Sequence, residues 1–287
     1  MTIQPECLNC ISNQAKRVCD AIEASDALTS TITHYVDLAL QEADFTLSPP
    51  VLATPLYEKM AEFAGVTDLY IVQKSYATQQ ALGFINKCTE AIETSLDPFD
   101  AILKTAVVGN VIDLAAEVSF DLHEAIHSIY QTPFVHDDSN TLHQQLANSK
   151  TLLYIADNAG EHIFDGLAIK YLRKLFPHLE ITYMVRGKPI INDVTLHEAK
   201  EAKMDEYCHV MDSGVPTPGF VYELASKEAQ NVFNSADIIL AKGMGNYECL
   251  TPQVRENICF LLKVKCSVVA RSLEQNIGDI VCKLQIH

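Results

Sequence analysis

Apolar positions in the first half of the chain recur every three to four residues, the spacing that gathers them on one face of a helix. This pattern predicts helices over 8–24, 29–41, 56–63, 70–92, 98–108 running on to 115, and 139–146. Ser48-Pro49-Pro50, Asp97-Pro98 and the polar stretch 136–140 separate them, because proline lacks a donor and restricts the residue before it. After Lys150 the pattern changes. Short apolar runs at 151–156, 179–185, 207–211, 238–241 and 266–270 alternate with amphipathic stretches at 162–176, 195–204, 218–234 and 252–262. Strand, crossover helix, strand is the order of a parallel sheet covered on both faces. The expected fold class is therefore α/β: a helical bundle or cap over 1–148, packed on a Rossmann-like three-layer α/β/α domain over 149–287 with a mainly parallel sheet.

Composition narrows the classes of function. With 48% apolar residues the chain can bury a proper core. A formal net charge of −16, with no stripe of Lys and Arg, argues against nucleic acid or an anionic membrane as partner. No basic segment leads into an apolar one at the start, and no run is long enough to span a bilayer, so a cytoplasmic protein is expected, as a monomer or small homo-oligomer. Nine scattered cysteines fit reduced thiols better than a disulfide framework. Cys19, Cys88, Cys208, Cys249, Cys259, Cys266 and Cys282 stand among apolar neighbours and read as core.

Ligands of open parallel sheets collect outside the carboxyl ends of the strands, and the chemistry of this sequence gathers there. The first expected strand runs into Asp157-Asn158-Ala159-Gly160-Glu161, the second into Arg186-Gly187-Lys188-Pro189-Ile190-Ile191-Asn192-Asp193, the third into Asp212-Ser213-Gly214 and the fourth into Lys242-Gly243-Met244-Gly245-Asn246. Any one of these is an ordinary turn; four at one sheet edge are better read as a site. Asp157, Asn158 and Asp193 supply hard oxygen donors suited to Mg²⁺, Mn²⁺ or a similar octahedral cation, while the thiol and imidazole set of a structural zinc site is missing. A phosphate could meet free amides where Ala159-Gly160 opens a helix, Lys242 on a loop with Gly243 and Gly245, and the Arg186 fork.

These loops resemble those of the DUF89 family, the metal-dependent damage-control phosphatases, especially the branch with an N-terminal Cys-x-x-Cys. Matching stretches run in order along nearly the whole chain: Glu6-Cys7-Leu8-Asn9-Cys10, Gly109-Asn110-Val111-Ile112-Asp113, the loops at 157–161 and 186–193, Gly214 with Pro218-Gly219, and Ala241-Lys242-Gly243-Met244-Gly245-Asn246-Tyr247-Glu248. Asp68-Leu69-Tyr70 departs from the Asp-Pro-Tyr frequent in the family. The resemblance implies a divalent metal, Mn²⁺, Co²⁺ or Ni²⁺, held by Asp157, Asn158 and Asp193. It also implies phosphate binding by Lys242 with its glycine loop, and help from a lysine before the last strand, Lys263 or, by register, Lys265. Gly160, Glu161, Asn192 and Asn246 join the expected substrate-binding set. Asn110 and Asp113, three apart on one helix face, are expected at the wall or lid of the site. Cys7 and Cys10 bracket the start of the first helix, where a low thiol pKa is possible, and the resemblance ties them to activity.

The expected reaction is hydrolysis of a small phosphorylated metabolite by a metal-activated water, with Lys242 and Arg186 stabilising the developing charge. Asp157 as a covalent nucleophile ranks second, because the Asp-x-Asp arrangement of aspartyl-phosphate enzymes is absent. Two rivals come from other classes. A nucleotide- or S-adenosylmethionine-dependent enzyme would suit the layout but lacks Gly-x-Gly-x-x-Gly. A redox or metal-carrier protein would use Cys7 and Cys10.

Overall fold

A computed structural model describes residues 1–109, 122–252 and 255–285. Among the described residues, eight helices precede the first long strand: α1 (Pro5–Ala21), α2 (Asp26–Gln41), α3 (Pro49–Ala64), α4 (Ile71–Leu82), α5 (Ile85–Thr94), α6 (Pro98–Val108), α7 (Leu122–Gln131) and, after the two-residue strand β1 (His136–Asp137), α8 (Ser139–Asn148). There follow β2 (Thr151–Ile155), α9 (Glu161–Leu175), β3 (Glu180–Val185), α10 (Leu196–Glu201), β4 (His209–Asp212), α11 (Lys227–Ser235), β5 (Ile238–Lys242), α12 (Gly243–Leu250), β6 (Ile258–Lys263), α13 (Ser267–Leu273) and β7 (Ile280–Gln285). The sheet order is β1-β7-β6-β5-β2-β3-β4, parallel throughout except for the β6–β7 pair.

Alternation along the strands divides the core between two faces. Leu152, Tyr154, Tyr183, Leu240 and Leu261 turn toward α5–α9, while Leu153, Ile155, Ile239, Phe260 and Leu262 turn toward residues of α11–α13. Burial on both faces explains why these strands read as unbroken apolar runs. A third cluster joins α1–α3 to Ile190 and Val268, so the first three helices sit on the loop that follows β3 and on the start of α13.

The mixed helical and parallel-sheet architecture matches the expectation, with corrections at the carboxyl end. The stretch 266–270, expected as the fifth strand, forms α13, where Cys266 Sγ accepts from Val269 N and caps the helix. The strand β6 instead takes the second half of the expected helix 252–262 and runs on to Lys263. Ile258-Cys259-Phe260-Leu261-Leu262 is apolar at every position, and such a run has no period to separate a buried strand from a buried helix. The stretch 70–92 breaks at Gly83-Phe84 into α4 and α5. The helix expected over 218–234 shortens to α11, preceded by a 3-10 turn at Tyr222–Leu224. Strands β1 and β7 and helices α7 and α12 were not expected from the pattern; the loop expected at Gly243-Met244-Gly245-Asn246 is the first turn of α12. Asn110 and Asp113 lie outside the described residues.

Candidate active site

From β2 the chain travels outward through β3 and β4, then returns to the other side of β2 as β5 and β6. The loops leaving β2 and β5 therefore diverge, opening a crevice at their carboxyl ends. Backbone pairing builds one wall. Ala159 N donates to Asn192 O at 2.8 Å and Val194 N to Asp157 O at 2.9 Å, with an antiparallel bridge between Asn158 and Asp193. The loop after β2 is thereby zipped to the loop after β3, and Asp157, Asn158 and Asp193 are brought together. The other wall is the start of α12. Gly243 has φ +76°, and a Cβ there would lie 1.9 Å from Asp157 Oδ2. Only glycine permits the Asp157 carboxylate to rest on this helix start.

Hydrogen bonds fix the cluster. Asn158 Nδ2 donates to Asp157 Oδ2 at 3.0 Å and to Glu161 Oε1 at 2.9 Å. Arg186 Nε donates to Asp193 Oδ2 at 2.7 Å. Burial, then Glu161 and Asp193, push the Asp157 carboxyl well above its ordinary range. Burial likewise raises Glu161, against the pull of Lys242 and Lys265, and lifts Asp193 to about 6 despite Arg186. Three buried carboxylates raised together mark a place short of positive charge, which a cation would correct.

Several expected phosphate contacts turn out to be committed inside the protein. Lys242 is fully buried, with Nζ 2.8 Å from Asp165 Oδ1 and 3.2 Å from Glu161 Oε2. Arg186 is spent on Asp193 and, through Nη2, on Asn246 Oδ1 at 3.1 Å; its Nη1 is buried without a hydrogen-bond partner. Asn246 uses its amide in full: Nδ2 donates to Ala156 O and Lys242 O, while Oδ1 accepts from Arg186 and Phe220 N. It ties three loops together and has nothing left for a ligand. The amides of Ala159 and Gly160 are also taken, the first by Asn192 O and the second by His162 Nδ1 at 3.0 Å. Burial holds the His162 imidazole near 4, neutral and suited to accepting that bond. What faces the site instead is the start of α12, which has no side-chain cap.

A cavity of about 490 Å³ opens beside the cluster. Asp157, Asn158, Asn192, Asp193, Gly245 and Lys265 line one side, and Cys7, Cys10, Gln14 and Arg17 of α1 line the other. Lys265 stands beyond the end of β6 and before α13, not before a strand, and its charge pulls on Asp157 and Glu161. Partial desolvation pushes the Cys7 and Cys10 thiols up, against the low thiol pKa that a place near the helix start allows. Sequence reasoning missed Asp165, one turn past Glu161 inside an apolar helix run. Asp165 accepts from Tyr154 OH at 2.5 Å and Tyr183 OH at 2.9 Å as well as from Lys242. It also missed Gln14 and Arg17, whose spacing from Cys7 and Cys10 on α1 was the available signal.

No cluster of three or more His, Cys, Asp or Glu among the described residues is arranged as a metal centre. The donor set here is of another kind: two carboxylates and one amide oxygen. Asp157 Oδ2 and Asp193 Oδ2 accept internal bonds, while Oδ1 of each and Asn158 Oδ1 accept none among the described residues. Three hard oxygens with room for water fit a divalent cation of the magnesium or manganese type.

Residues 3–281 match the damage-control phosphatase ARMT1-like domain. A damage-control phosphatase of Pyrococcus horikoshii is 32% identical over 98% of both chains, and one of Archaeoglobus fulgidus is 31% identical over 99% of both. An uncharacterized protein of Methanocaldococcus jannaschii is 33% identical over 96% of this chain and 93% of its own. The crystal structure of a DUF89 family protein from P. horikoshii superposes with a TM-score of 0.91, at 30% identity and full coverage of both chains. Matched in sequence and fold along nearly its whole length, this chain belongs to the DUF89 family of damage-control phosphatases.

Proposed function

We propose that the cavity hydrolyses phosphomonoesters of small metabolites, and that Asp157, Asn158 and Asp193 hold the divalent metal it requires. The observation that carries this reading is the zipped pair of loops, which presents two carboxylates and an amide oxygen beside a cavity of about 490 Å³, a size suited to a small metabolite. A metal bound there supplies Lewis acidity toward a phosphoryl oxygen and lowers the pKa of a coordinated water.

The residues themselves do the rest. Lys265 lines the cavity and presents a cation to the substrate phosphate, the part first expected of Lys242. The uncapped start of α12, with Gly245 in the cavity wall, offers backbone N–H groups to the same anion. Glu161, buried and held by Asn158 and Lys242, fixes the Asn158 amide from behind and does not line the cavity, so it leaves the substrate-binding set. Arg186 fixes the Asp193 carboxylate, and Asn246 fixes Arg186. Residues of α1 and the start of α3 wall the cavity and limit the size of what enters.

Metal-stripped protein should hydrolyse p-nitrophenyl phosphate only after Mn²⁺, Co²⁺, Ni²⁺ or Mg²⁺ is restored, and Asp157→Ala should stay at the no-enzyme rate. Full turnover in the presence of chelator would sink the metal reading. Trapping a phosphorylated Asp157 would replace water attack with a covalent route.

A further inference from the structure

The wall of the cavity opposite Asp157 is one face of α1. Cys7, Cys10, Gln14 and Arg17 follow at spacings of three, four and three, which stacks their side chains in a stripe, and all four line the cavity. The neighbouring stripe of Cys7, Ile11, Ala15 and Val18 is buried in the cap, so packing fixes the rotation of the helix. Most charges around the cavity are already answered. Arg186 holds Asp193, and Glu6 meets Arg271 at 2.8 Å. Burial lifts the Glu248 carboxyl to about 7. Tyr57 OH donates to Gln14 Oε1 at 3.2 Å, which steadies the residue beside Arg17.

Arg17 is the exception. It is exposed, lines the cavity, and makes no ion pair with any carboxylate among the described residues. The described residues include many carboxylates, and none of them is paired with this arginine at the cavity wall. Its guanidinium is a fork that matches the oxygens of a carboxylate or phosphate. Lys265 and the start of α12 serve the phosphate at the other side.

We infer that Arg17 determines specificity by receiving a second anionic group, so that the preferred substrates are phosphomonoesters carrying a carboxylate or a further phosphate. The assignment rests on the phosphatase reading above and deepens it. Arg17 does not touch the reacting bond; its contribution is to binding and register.

The test is equilibrium binding to the Mn²⁺-loaded protein, without turnover, of three series matched in chain length: alkylphosphonates, ω-phosphonocarboxylates and α,ω-bisphosphonates. At one or more lengths the doubly anionic compounds should bind the wild type about 10-fold more tightly than the alkylphosphonate, the effect of one charge-assisted contact at a partly exposed site. Arg17→Ala should erase that ratio, and Arg17→Lys should keep part of it. The carboxylate and bisphosphonate arms separate the two kinds of second anion. If alkylphosphonates bind and neither doubly anionic series gains at any length, or if the gain survives Arg17→Ala, the assignment is wrong and the phosphatase reading stands. If nothing in any series binds the wild type, the phosphate site itself is wrong and Arg17 falls with it.

Discussion

Replacing Lys242 with methionine separates two roles for a lysine that sequence alone assigns to phosphate. In the structure its ammonium touches Asp165 and Glu161, and none of the three side chains is more than 3% exposed. Burial alone would push the Lys242 pKa down, but Asp165 and then Glu161 overcome that and hold it above its ordinary range. Methionine keeps the volume and removes the charge, leaving two carboxylates desolvated without their cation. Breaking a buried pair in this way costs roughly 3–5 kcal/mol. An unfolding entropy of about 2.1 cal/mol/K per residue over 287 residues converts that into a fall in Tm of about 5–8 °C. Thermal unfolding by circular dichroism at pH 7 reads it directly. Adding Asp165→Asn to Lys242→Met removes one stranded charge and should restore about 1–2 kcal/mol, a coupling typical of neighbours in one network. A Lys242→Met protein with the Tm of the wild type and only a raised KM would refute the reasoning and return Lys242 to the phosphate.

Gly243→Ala places a methyl group 1.9 Å from Asp157 Oδ2 at a positive φ, so the carboxylate must move; kcat for p-nitrophenyl phosphate should drop about 100-fold, and unchanged kinetics would contradict the packing. Glu198 links Lys74 and Thr195; burial works against its ionised form, but the hydrogen bonds from those two residues prevail and hold its pKa at about 2 against an ordinary 4.5. Because the folded value lies below the unfolded one, its stabilisation is full above pH 4.5 and fades as pH falls toward 2, an effect of about 3 kcal/mol. Urea unfolding of wild type and Glu198→Gln between pH 5 and pH 3 should therefore converge as the medium becomes more acid, and parallel curves would show that Glu198 carries no such linkage.

The parts of the site legible in the sequence were those written in turn chemistry. Asp157-Asn158-Ala159-Gly160 and Lys242-Gly243-Met244-Gly245 end apolar runs with residues that strands do not need, and both follow strands, β2 and β5, in the structure. The hidden parts depend on partners distant in the chain. Nothing local shows that Lys242 meets Asp165 77 residues away, or that the amides of Ala159 and Gly160 are consumed by Asn192 and His162. The exchange of helix and strand at 258–270 has the same origin: β6 is buried on both faces and carries no period, while Val268-Val269-Ala270, β-branched in part, is helical because Cys266 caps it, the sheet core receives Val269 and Ala270, and the cluster of α1–α3 receives Val268. Likewise, the sequence ties Cys7 and Cys10 to activity without showing how, and only the fold reveals that Gln14 and Arg17 continue their stripe along the cavity.

Metal binding reads the site of Asp157, Asn158 and Asp193 without turnover. Titration of stripped protein with Mn²⁺, followed by electron paramagnetic resonance of the free ion, should show one site per chain in the wild type, weakened at least about 10-fold in Asp157→Ala and in Asp193→Ala. Mn²⁺ bound with equal affinity by the wild type and both variants would place the metal elsewhere and contradict the account.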